Sequence, residues 1–129
     1  MIKELTERTA RALGLAGTWR VIDGEDVYVL DRASAAKWGG VALFDPVRNN
    51  EDAMYAAGAA GLALAFGSSY ALARLHAEAG PAVTELYNAH ADRWEAQRVA
   101  IARCIVAVHK LRHPEPVRDR PGLAWAVTG

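Results

Sequence analysis

Hydrophobic positions recur along this chain in two different periods, and the switches between them mark its elements. Residues 3–13 carry a helical period: Ile2, Leu5, Thr9 and Leu13 fall near one face, and Gly14 supplies a stop. The period then drops to two. "TWRVI" (18–22) and "DVYVL" (26–30) are β-rich runs around Asp23-Gly24, the dipeptide of a tight hairpin turn. Alternation puts Trp19 and Val21 on one face of the first strand and Val27 and Val29 on one face of the second. Over 31–48 Gly39-Gly40 and Pro46 break any period, which predicts a loop.

Asn49 or Asn50 then caps a helix that runs to about Ala60, with Glu51 and Asp52 in the first turn, where acids complement the dipole. Asn49 followed three residues later by Asp52 resembles a capping box. The expected inner face is Met54, Ala57, Gly58 and Gly61, small enough to let the helix lie close on a sheet. "LALAF" and "YALARL" around "GSS" predict a second hairpin, 62–75, with Leu62, Leu64 and Phe66 on one side of one strand and Tyr70, Leu72 and Arg74 on one side of the other. The alternative is a helix continued over 50–75; Gly61 and Gly67-Ser68-Ser69 argue against it. Residues 82–87 read as loop or as a further strand.

The last helix starts near Asp92, with Glu95 as a capping partner, and Pro114 ends it. Its expected inner stripe is Trp94, Ile101, Cys104, Ile105, Val108 and Leu111, with Gln97 on the same side, while Val99 and Val106 lie opposite. The tail that follows is broken by prolines; it is either a loose end or an edge strand docking Leu123, Trp125 and Val127. Together these elements predict an α+β layered sandwich. Its mostly antiparallel sheet would have about four strands in two hairpins, covered by two or three helices. Residues 1–113 are expected to form one domain and 114–129 a tail.

Composition narrows the classes of function. The 129 residues are 52% hydrophobic, enough for a core without staples. Zero net charge argues against binding nucleic acid or membrane through bulk electrostatics. The charge is tilted, −2 over residues 1–64 and +2 over 65–129, with the stretch from Arg93 to Arg120 at +4. That stretch reads as a solvated helix face or a docking patch. A single cysteine excludes an intrachain disulfide and fits a reducing, cytoplasmic setting. The N-terminal run "MIKELTERTARAL" is too charged for a signal peptide. The longest uncharged stretch, 53–73, is too rich in alanine and glycine for a transmembrane segment.

Residues 43–54, "LFDPVRNNEDAM", resemble the NinX-like and phage ABA-sandwich proteins, small proteins of bacteriophages and prophages. The shared pattern is an aromatic, a free position, Pro, an apolar residue and an Asp/Asn-rich turn that opens a helix. Phe44, Pro46, Val47, Asn49, Asn50, Asp52, Ala53 and Met54 fill those places. "AQRVAIARCIVAVHKL" (96–111) is similar to the family's last helix. The likeness spans roughly residues 40–112; it departs at Phe44, where Trp is common, and in a turn without glycine. It implies a phage-encoded α/β sandwich and no particular reaction.

Side chains with chemical potential mostly have plainer readings. Glu51 and Asp52 are explained by the helix cap, with Asp45 beside them. His109 and His113 have metal-ligand spacing, but Lys110, Leu111 and Arg112 lie between them where H-E-x-x-H has a glutamate; no metal and no cofactor is expected. His76 and His90 read as isolated surface histidines. Cys104 sits inside the apolar stripe and reads as an inert thiol. No nucleotide-binding, nucleophile-elbow or C-x-x-C pattern occurs, so an enzyme is not expected. Two functions remain. One is a non-catalytic accessory protein that binds a host or phage protein, or itself, through Val99, Arg103, Val106 and Lys110, with counter-defence as a possible role. The other is a small-ligand binder with a pocket near the 31–48 loop, built from Trp38, Gly39, Gly40, Phe44 and Asp45.

Overall fold

The first helix, α1 (Ile2–Ala12), leads into a hairpin of β1 (Gly17–Ile22) and β2 (Glu25–Leu30). The computed structural model describes residues 2–75 and 80–114. Ile22 pairs with Glu25 across a two-residue turn, and Asp23 and Gly24 have φ of 53° and 80°, the two positive values that a type I′ turn demands. Trp19 stands opposite Tyr28 and Gly17 opposite Leu30, so these four share the inner face. Tyr28 and Leu30 are buried there, while Val27 and Val29 are on the other side and Val21 is exposed.

Residues 31–48 are not wholly a loop: α2 (Arg32–Lys37) forms within them. Asp31 caps it by accepting from Ser34 N at 2.8 Å, and the buried Ser34 hydroxyl accepts from Ala16 N at 2.8 Å. Gly39 and Gly40, both at positive φ, follow the helix rather than prevent it.

The third helix, α3 (Asn50–Ala60), opens as expected: Asn49 Oδ1 accepts from Asp52 N at 3.0 Å. The return half of the box is displaced, since the Asp52 carboxylate accepts from Asp45 N at 2.8 Å instead of from the cap residue. The inner face of α3 is Ala53, Ala56 and Ala57; Met54 and Gly58, expected inside, are exposed. A Cβ on Gly58 would meet nothing within 4 Å, so no close packing explains that glycine.

The second hairpin, β3 (Leu62–Phe66) and β4 (Tyr70–Leu75), forms, and residues 82–87 provide a fifth strand, β5 (Ala82–Leu86). All pairings are antiparallel, in the order β3-β4-β5, and the fold is α+β. The two hairpins do not merge. They form a two-stranded and a three-stranded sheet, because β2 finds only an isolated bridge, Val29 to Leu43, on its free side. On the three-stranded sheet Leu64, Ala73 and Val83 lie in one row of the inner face, and Phe66, Ala71 and Glu85 in the next.

The longest helix, α4 (Arg93–Arg112), packs against that face. Ala71 and Ala73 of the central strand are fully buried under it. It also contacts α3 and α1. A helix covered on three sides has no single stripe: Ala96, Val99, Ala100, Ala102, Ile101, Cys104, Ile105 and Val108 are all buried. The expected stripe holds in its middle and fails at its ends, where Trp94 and Leu111 are exposed. Residues 115–129, with the proposed docking of Leu123, Trp125 and Val127, lie outside the described residues, as does His76.

Candidate functional site

Val99, placed on an outer contact surface by its spacing, is 0% exposed. It forms a second small core with Leu5, Val47 and Ala102, against which Val106 is half-buried. The cover is α1. Arg103 donates through Nη1 to Glu85 Oε2 at 2.7 Å, and Lys110 remains exposed. The four residues therefore do not make one free face.

The five residues of the expected pocket do not line one cavity. Trp38 is buried edge-on between Phe44, at 5.1 Å between ring centroids, and Tyr55, at 4.5 Å. Phe44 lies beneath it, in contact with Tyr28, and the row of rings continues to Trp19. Gly39 and Gly40 form the exposed turn after α2, and Asp45 faces Arg48 at 3.0 Å. Of the five, Trp38 alone lines a cleft of about 370 Å³ near the C-terminal end of α4.

His90 is not an isolated surface residue. Its Nε2 lies 2.7 Å from Glu85 Oε1 and its Nδ1 3.7 Å from Glu95 Oε1, with only 8% of the side chain exposed. Glu85, brought to the inner face by the register of β5, is thus shared between His90 and Arg103. Glu95 Oε2 also accepts from Ala91 N, while Asp92 Oδ1 accepts from Glu95 N, both at 2.8 Å. The cluster closes the turn between β5 and α4, and each charged member is engaged by another. Cys104 is buried, its Sγ 3.7 Å from Pro81 O, and burial pushes its thiol pKa up, as an inert core cysteine requires. Among the described residues no group of three potential metal ligands comes together.

What the sequence did not reveal is an apolar groove of about 240 Å³ where α3, β3 and the first turns of α4 meet. Met54, Phe66 and Trp94 stand around it, 52%, 42% and 51% exposed, above a floor that includes the buried Ala53 and Ile101. Its rim is ordered. Arg98 donates from Nε to Val47 O and from Nη1 to Asn50 Oδ1, each at 2.7 Å, which ties α4 to the start of α3. All three large side chains are in phase with apolar neighbours, so hydrophobic period assigns them to the core. Their exposure follows from tertiary packing: α3 turns its alanine face inward and leaves Met54 outside. No helix among the described residues is long and apolar enough to cross a membrane. Set against known protein families, curated proteins and solved structures, the chain matches none.

Proposed function

We propose that this protein acts by binding another protein, without catalysis, through the groove between α3, β3 and α4. The observation that carries the reading is the grouping of Met54, Phe66 and Trp94, exposed together over a shared apolar floor. Such side chains are enriched at the centres of interfaces and depleted from free surfaces. An arginine rim held by two hydrogen bonds gives the partner a preorganised border. The partner would present an apolar side chain to the floor and polar groups to Arg98, Gln97 and Asn50.

The likeness of residues 43–54 and 96–111 to NinX-like phage proteins supports an accessory role in a bacterial cell, with a host or phage protein as partner. That role would be counter-defence if the partner belongs to a host defence system. Site-specific photo-crosslinking tests the surface. A photoreactive phenylalanine analogue at Trp94 or Met54 should give one discrete adduct in bacterial cells, and the same group at the exposed Val21 should give none. Equal yields at all three positions, or no adduct at any, would refute the groove. An adduct of twice the chain's mass would replace the foreign partner with a second copy.

A further inference from the structure

The cleft beside Trp38 has a different character from the groove. The ends of all four helices contribute to it: Leu13 just after α1, Lys37 of α2, Ala60 of α3 and Arg112 of α4. Lys37, His109, Arg112 and His113 line it, and among the described residues no carboxylate does. Neither Lys37 nor Arg112 makes an ion pair among the described residues. The two imidazole rings lie side by side, 4.8 Å between centroids. The floor is apolar, with Leu15, Ile105 and Val108. One wall is the Trp38–Tyr55 pair, whose ring planes meet at 72°.

Basic residues in the last turn of a helix have an ordinary use, as partners of the dipole's negative end. Here four such ends meet, and each disfavours an anion. Against them stand the full charges of Lys37 and Arg112 on the rim, with two imidazoles between. The size is that of a small-molecule site, and an apolar floor under a few convergent polar groups is the usual construction of one. We infer that this cleft binds a small planar aromatic anion, its ring against Tyr55 and Trp38 and its carboxylate or phosphate held by Lys37 and Arg112. Arginine offers either group two parallel hydrogen bonds, so the shared chemistry is an oxyanion on a flat ring.

Titration calorimetry on the full chain with 2-naphthoate, 1-naphthyl phosphate and the neutral 2-naphthol tests this. Both anions should bind at least about tenfold more tightly than the naphthol, and the tighter of the two identifies carboxylate or phosphate as the preferred group. A Lys37→Ala, Arg112→Ala variant should lose that advantage for both anions while its affinity for naphthol stays unchanged. Both side chains are exposed, so its circular dichroism and melting should match the parent; if they do not, Lys37→Gln alone should still lower anion affinity severalfold. Binding of the anions no tighter than the naphthol, an anion preference that survives both substitutions, or no binding of any probe would overturn the inference.

Discussion

Single side chains in this protein carry costs that their neighbours do not fully offset. Thr6 is 1% exposed and its hydroxyl has no hydrogen-bond partner among the described residues, whereas Thr9, one turn on, donates to Leu5 O at 2.7 Å. A buried hydroxyl left unpaired is disfavoured by about 1–3 kcal/mol. Thr6→Val keeps the shape and removes the polar atom, so it should raise the stability by about 1 kcal/mol, read as a higher urea midpoint with an unchanged slope. Thr9→Val should not. Asp52 shows a second cost. Burial pushes its carboxyl above the ordinary value of 3.8; the hydrogen bond from Asp45 N opposes this, and the charges of Asp45 and Glu51 add to the rise. Between the unfolded and the raised folded pKa the native state holds more protons, so stability falls as pH rises through that interval. The stability of the parent minus that of Asp52→Asn should therefore decline from about pH 4 upward and then level off. Urea titrations across that range would show it; a difference that is flat or rises would contradict the assignment.

At the scale of elements, glycines separate what local chemistry decides from what packing decides. Gly58 lies inside α3, is exposed, and has open space around its would-be Cβ. Gly58→Ala should stabilise by up to about 1 kcal/mol, the helix propensity difference. Gly17 looks just as unremarkable in the sequence, yet a Cβ there would lie 2.4 Å from Val29 O and 3.0 Å from Tyr28 Cε2. Gly17→Ala should cost about 1–3 kcal/mol through overpacking; thermal melts of the two variants would move in opposite directions. The same division explains which elements were legible. Asp23-Gly24, Asn49 and Asp92 act through bonds to residues a few positions away, and the hairpin and both long helices begin where those residues predict. Asp31 carried an equal cap signal for α2, hidden by the glycines and proline that follow it. The inner face of α3 was not legible, because a run of alanine and glycine has almost no hydrophobic period, and Met54 is the residue that misleads. Nor was the groove, since Phe66 and Trp94 differ from core residues only in what packs over them.

For the whole molecule the decisive fact is that α4 is an axis and not a cover. The three-stranded sheet lies on one side of it, α3 on another and α1 on a third. A helix on the outside of a sheet would bury one stripe and tolerate charge over the whole opposite side; a helix covered on three sides tolerates it only in the gaps between its neighbours, as at Arg103 and Lys110. Val99 and Val106 separate these two descriptions. Val99 is enclosed by Leu5, Val47 and Ala102, with no cation among them to meet a carboxylate. Val106 lies half-buried on a surface cleft that also includes Glu4, Arg8 and Arg103, with Arg8 paired to Glu4. Val99→Glu should thus cost more than about 4 kcal/mol, a large share of what holds a domain of this size together, and should leave the chain unfolded or melting far below the parent. Ile105→Asp, which buries a charge in the main core, should do the same. Val106→Glu should cost only about 1 kcal/mol, because its charge can remain in water at the mouth of that cleft. Circular dichroism melts of the three single variants measure the contrast. If Val99→Glu folded and melted like Val106→Glu, α1 would not be docked over α4, and the surface first expected at Val99, Arg103, Val106 and Lys110 would be open after all.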